Sequence, residues 1–327
     1  MSQITTLINE DVNNTKKRNN KKKVRKKRNN TKIILKDYQL YLFILPAIIY
    51  VLVFLYAPMY GILVAFKDYK PKLGILHSEW VGLKNFKIFF NSYSSKLIIK
   101  NTLILSLYKI IAEFPLPIIL AILLHHLPSK KFKKLVQMTT YAPYFISTVV
   151  IVGMINILLA PDTGIVNILL NNVGKESIFF MGKPQYFRHI YVWSGVWQTL
   201  GWSSVIYIAA LSSVDPTYYE AAIVDGATLF QRIRYIDLPS IRPTAIILLI
   251  LAVGQTLSVG FEKVYLMQNS SNLHISEIIS TYVYKIGILK SNFEVGTAVD
   301  LFNGIVNCIL LITVNKISRK YSDASLF

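Results

Sequence analysis

Apolar residues along this chain gather into six long runs separated by polar stretches. Leu40–Phe66 contains no charged residue, and Pro46 and Pro58 mark places where a helix there can kink. Leu97–Leu124 is apolar apart from Lys100, Lys109 and Glu113, and Leu135–Ala160 and Ile190–Leu211 are free of charge. Thr244–Leu266 is uncharged until Glu262, and Ala298–Val314 carries only Asp300. A helix crosses a bilayer in roughly 20 residues, whereas a barrel strand needs about ten with alternating polarity. The runs are too long and continuous for strands. They predict an all-α polytopic membrane protein with six transmembrane helices, the membrane domain covering residues 37–327.

Charge orients these spans. Between Lys16 and Lys36 there are 12 Lys or Arg, and Asp37 is the first acid after Asp11. With the N-terminus inside, the cytoplasmic segments hold 22 Lys or Arg against 13 outside. Lys and Arg concentrate on the cytoplasmic side, so both termini are expected there. A basic run also binds nucleic-acid phosphate. Because a membrane segment follows at once, residues 1–36 read instead as a solvated, disordered cytoplasmic tail touching anionic lipid headgroups. No nucleic-acid partner is expected. That tail leaves no short apolar stretch before a cleavage site, so no signal peptide is expected. Trp80–Phe90 reads as an amphipathic segment at the outer interface, its aromatics mostly packing in the membrane belt.

The composition agrees: 53% of the 327 residues are hydrophobic and 16% charged, where a soluble domain carries about a quarter charged. One cysteine, Cys308, excludes an intrachain disulfide and leaves the redox compartment open.

The most informative polar stretch is the connector 212–243 between the fourth and fifth runs. Asp215 can cap a helix whose first residue is Pro216. Gly226 permits a left-handed turn after Glu220, Ala221 and Ala222. A second short helix follows from about Thr228, and Leu238-Pro239 is expected to stop it. The small alanines let another protein approach the backbone, and Glu220 offers that surface a carboxylate.

Glu220-Ala221-Ala222, Asp225-Gly226-Ala227 and Ile236-Asp237-Leu238-Pro239 together resemble the EAA loop of permease subunits in binding-protein-dependent ABC importers. LFILPAIIYVLVFLYAPMYGILVAFKDY, WVGLKNFKIFF and GQTLSVGFEKVYLMQN are similar to sugar permeases of the carbohydrate uptake transporter family 1. The likeness is strongest to the branch taking up polysaccharide-derived oligosaccharides, and it covers most of residues 38–327. It implies a type I importer permease fold. Its partners would be a second homologous permease, making a heterodimer, two ATP-binding cassette subunits and an extracytoplasmic solute-binding protein. The loop would be the coupling helix seated in the ATPase cleft, using Glu220, Ala221, Ala222, Asp225, Gly226, Ala227, Leu238 and Pro239. The protein would lie in the bacterial cell membrane.

This chain lacks the phosphate-binding pattern GxxxxGK[ST]. No cofactor is therefore expected in it, with ATP and Mg bound by the partners. His77, His125, His126, His189 and His274 form no zinc-ligand pattern, and no nucleophile elbow is present. The subunit reads as non-enzymatic. A secondary transporter driven by an ion gradient is the alternative, but it should show an internal repeat, and none is evident.

Polar residues within spans usually face a cavity or a partner. Lys109 and Glu113, four apart, are expected to form a structural ion pair rather than a proton relay. Asp300, Asn303 and Asn307 share one stripe, either lining a pathway or bonding across helices. Sugars need amides or acids beside aromatic planes. The resemblance places the site on the spans flanking the loop. In the fourth span Gly195, Gln198 and Trp202 share a side, opposite Trp193 and Trp197, and glycine leaves room for a sugar ring. Gln255, Ser258 and Glu262 are expected to form a stripe on the fifth span. The alternative is that Trp202 packs on a neighbouring helix and Gln255 bonds across an interface.

Overall fold

A computed structural model describes residues 38–258 and 260–321; the basic tail 1–36 lies outside them. The chain divides into two units, Met1–Gly61 and Ile62–Phe327. In the first, helix α1 (Tyr38–Val51) contains Pro46 and runs on through a π turn, Leu52–Tyr56. Tyr50 and Phe54 sit with ring centroids 5.1 Å apart on it.

The second unit opens with a short hairpin that pairs Lys67 with Trp80 and Asp68 with Glu79. Asn85 pins it, donating to the carbonyls of Ala65 and Lys67 at 3.0 Å each. Helix Lys84–Asn91 within the aromatic segment buries Phe89 against Tyr282. Then come α2 (Ser95–Glu113) and α3 (Pro115–His126), which together make one apolar stretch of 32 residues. Pro115 tolerates this junction because a first-turn N–H has no partner within the helix.

The expected third span is not continuous. Helix α4 (Lys130–Tyr141) passes into a 3-10 turn at Ala142–Phe145, and α5 (Thr148–Leu158) leaves at 101° to it. Pro143 and the Ser147 cap, whose hydroxyl accepts from the Val150 N–H at 3.4 Å, cause the break.

Helix α6 (Pro184–Ser212) is the long post of the unit; its 29 residues rise about 44 Å, more than a hydrocarbon core of roughly 30 Å. After it come α7 (Pro216–Val224) and α8 (Leu229–Arg232). A π turn, Ile233–Asp237, then leads into α9 (Leu238–Gly254). Leu238-Pro239 therefore does not end the helix: residues 229–254 form one rod. In the π turn the Leu238 N–H donates to the Ile233 carbonyl, and Pro239 falls where a missing N–H is accommodated.

The expected fifth span also breaks. Helix α9 stops at Gly254, and α10 (Phe261–Met267) starts afresh. The chain closes with α11 (Phe293–Tyr321). Among the described residues, four helices have the length and hydropathy of a membrane span, and the bent pair makes five. Helix α6 has the length for a sixth.

Three apolar clusters hold the second unit. Leu105 of α2, Val192 and Val196 of α6 and Val264 of α10 meet in one. Phe89, Ile98, Leu257 and Val299 make another, and Ala121, Tyr207, Leu211 and Ile241 lock α3, α6 and α9 together beside the 212–243 loop.

Candidate translocation pathway and coupling loop

Where α2, α6 and α9 meet, they line a half-open cavity of ≈ 330 Å³. Its polar lining is Ser106, Lys109 and Glu113 from α2, Ser203 and Tyr207 from α6, and Gln255, Thr256 and Ser258 from the break after α9. Lys109 and Glu113 pair at 3.8 Å. They lie one turn apart on α2, so this ion pair is also part of a cavity wall.

Of the residues expected to line a pathway, the cavity holds Gln255 and Ser258. With α9 ended at Gly254, Gln255, Ser258 and Glu262 do not form a helical stripe. Glu262 instead lies exposed in the first turn of α10. Asn307 secures the break: its Oδ1 accepts from the Leu257 N–H at 3.0 Å and its Nδ2 donates to Ser258 at 2.9 Å. In that stripe of α11, Asn307 thus bonds across to another element. Asn303 is buried, and its Oδ1 accepts no hydrogen bond.

Gly195 does not leave space for a sugar ring. A methyl group there would come within 2.6 Å of Glu113 Oε1 and 3.5 Å of Lys263 Nζ, so these charged groups already fill the space. Lys263 is only 8% exposed, makes no hydrogen bond, and holds its ammonium 5.3 Å from the Tyr191 ring centroid. That is cation–π distance.

Gln198 and Trp202 face the bend between α4 and α5. Gln198 donates to the Ile146 carbonyl at 3.1 Å, and Trp202 stacks on Tyr144 with Phe145 edge-on. Trp202 remains 46% exposed, so the stack keeps an open aromatic side. Opposite it, Trp193 donates to the Tyr108 hydroxyl at 2.9 Å. Tyr144, Phe145 and Ser203 were not singled out in the sequence. Pro143 and Ser147, which bracket the bend, are the sequence features that could have pointed to Tyr144 and Phe145.

The 212–243 loop is built largely as its residues suggest. Asp215 accepts from the Thr217 N–H at 2.9 Å, and this bond holds its carboxyl below the usual aspartate value. Gly226 adopts φ +76, a left-handed conformation that glycine takes without a Cβ clash. Thr228 and Gln231 form a reciprocal capping box at the start of α8. Around Glu220 the loop exposes Tyr218, Ile223, Val224, Phe230 and Tyr235, with Val224 87% exposed. Exposed large apolar side chains gathered on one short loop are the kind of surface that marks an interaction site. Behind it Tyr219 donates to Asp237 at 2.6 Å; partial burial, then this carboxylate, pushes the hydroxyl above the ordinary phenol range.

A membrane-spanning unit with an exposed apolar loop agrees with one family model, described as the binding-protein-dependent transport system inner membrane component, which matches residues 113–317. The chain belongs to that family. This permease is 43% identical, over 90% of its own length and 92% of the relative's, to the polygalacturonan/rhamnogalacturonan transport system permease protein YteP of Bacillus subtilis (strain 168). It also superposes with TM-score 0.84 and 38% identity on a chain in the crystal structure of a bacterial alginate ABC transporter in complex with alginate pentasaccharide-bound periplasmic protein. That match covers 90% of this chain and 99% of the other. A second structure, of a bacterial ABC transporter involved in the import of the acidic polysaccharide alginate, gives 0.83 at 39% identity, covering 88% of this chain and 98% of the other. The permease is thus a multi-pass membrane subunit of an ABC importer for oligosaccharides, not a secondary transporter. It is not an enzyme; ATP is hydrolysed in separate subunits. Membership of such a system entails a partner permease, an ATPase and a binding protein.

Proposed function

We propose that this permease, with a different second permease, forms the pathway for acidic, uronate-containing oligosaccharides. The observation that carries the substrate class is the 43% identity, over nine-tenths of the chain, to a permease named for polygalacturonan and rhamnogalacturonan. The cavity suits a sugar, because the Lys109–Glu113 pair sits there among serines and a glutamine that can bond hydroxyls. Trp202 and Tyr144 offer the aromatic plane that a sugar's C–H face prefers, and Gln255 and Ser258 offer hydroxyl partners.

In this reading the exposed loop face around Glu220 seats on an ATPase subunit that binds ATP and Mg. A solute-binding protein delivers sugar at the opposite side. Both termini of this membrane domain are cytoplasmic, and the domain lies in the bacterial cell membrane.

The test is competition in vesicles carrying the complete transporter. Trigalacturonate should block uptake of a labelled galacturonate oligosaccharide, and its fully methyl-esterified form, identical but uncharged, should not. Equal competition by both forms would contradict an acidic substrate.

A further inference from the structure

We infer that Asp237 is a positioning residue that ties the coupling helix α7 to the spans, so that movement of the loop moves the pathway. Three elements meet at its carboxylate. Oδ1 accepts from the Tyr219 hydroxyl of α7 at 2.6 Å, and Oδ2 lies 2.5 Å from Nε2 of His126, the last residue of α3. Asp237 itself ends the π turn that opens α9, and it is 0% exposed. The His125 ring lies 5.5 Å from the Tyr219 ring and closes the same corner.

A carboxylate withdrawn from water is retained only when its oxygens find partners. Here both do, each on a different helix, so separating α7 from α3 or α9 breaks a charge-assisted bond. A π turn holds one extra residue relative to an α-helix and so turns the following face by about 100°. It leaves Tyr235 and Leu238 exposed on the outer side while Asp237 is buried. The apolar docking face is thereby separate from the tie: Tyr218, Ile223 and Val224 are exposed, whereas Tyr219 reaches inward. A permease without the tie still has a surface for an ATPase, but the load on α7 no longer passes through this carboxylate to α3.

This inference rests on the reading of α7 as the ATPase-docking helix. It is tested in proteoliposomes containing the complete transporter, by measuring assembled complex, ATP hydrolysed and sugar taken up. Tyr219→Phe deletes one hydroxyl and leaves the His126–Asp237 contact. It should assemble normally and keep binding-protein-stimulated hydrolysis. Its ATP consumed per sugar should rise about ten-fold, the scale of one hydrogen bond to a charged group. Asp237→Leu removes this bond and the His126 contact together and should raise the ratio at least as far, and adding Tyr219→Phe to it should raise it no further, because the Tyr219 bond is already gone. An unchanged ratio in Tyr219→Phe overturns the inference. So does a loss of assembled complex whose surviving fraction transports with the wild-type ratio, since that is a purely structural role. Glu220→Lys separates the underlying reading: normal stimulated hydrolysis in that variant would remove the docking assignment itself, whatever Tyr219→Phe does.

Discussion

Trp202 and Tyr144 lie ring on ring, with centroids 4.7 Å apart and planes 9° from parallel. They join the long helix α6 to the bend between α4 and α5, and Trp202 keeps nearly half its surface open. This is both packing and a free aromatic plane, so the sugar-binding and helix-packing alternatives are not exclusive at this residue.

Trp202→Ala should lower sugar uptake roughly ten-fold, the size of losing about 1.4 kcal/mol of aromatic contact. Gln255→Ala, at the cavity wall, should lower it to a similar degree. Complex assembly and basal ATP hydrolysis should persist in both. Trp193→Ala, on the opposite side of α6, should affect sugar affinity less. Unchanged uptake in the first two variants with loss in the third would put the pathway on the other side of the helix.

The spans and the loop were legible because both rest on local signals: uninterrupted apolar runs, and caps and turns at Asp215, Gly226 and Thr228. What was hidden depends on neighbours distant in sequence. Nothing near Gly195 says that Glu113 and Lys263 fill its empty side. Ser147 read as one more residue of an apolar run until its capping role appeared, and the break at Gly254 is made secure by Asn307, some 50 residues on. Pro239 misled in the other direction, because a π turn absorbed it. The burial of Asp237 had a sequence clue, an acid set between apolar neighbours at Ile236 and Leu238, but its partners Tyr219 and His126 come from other helices.

Topology is open to direct labelling. With Cys308→Ser as background, a single cysteine at Gln231 should react only from the cytoplasmic side, and one at Asn171 only from outside. Both positions are exposed. Labelling of the Gln231 position in intact cells by an impermeant thiol reagent would overturn the assigned orientation.

The Asp215 cap gives a pH dependence with a defined sign. Its carboxyl is held below the ordinary value of 3.8 by the Thr217 N–H, so its folded pKa lies under its unfolded one. The cap therefore contributes fully above pH 3.8 and is lost only as pH falls through the lower folded value. Protection of the Thr217 amide, its exchange measured against the intrinsic rate at each pH, should hold at neutral pH and fall below that range. Asp215→Ala should lose that protection at neutral pH and show no further fall in acid. Rapid exchange at Thr217 in the wild type at pH 7 would contradict the cap.

Coupling through the 212–243 loop is tested most directly by sugar uptake into ATP-loaded proteoliposomes carrying the complete transporter and its binding protein. Wild-type vesicles should accumulate acidic oligosaccharide only with internal ATP, and should do so with ion gradients collapsed. Gly226→Pro cannot adopt φ +76, and Glu220→Lys places a cation where the loop presents a carboxylate. Each should insert normally yet abolish both uptake and sugar-stimulated ATP hydrolysis. Wild-type stimulation of ATP hydrolysis in both variants, with uptake intact, would contradict the account.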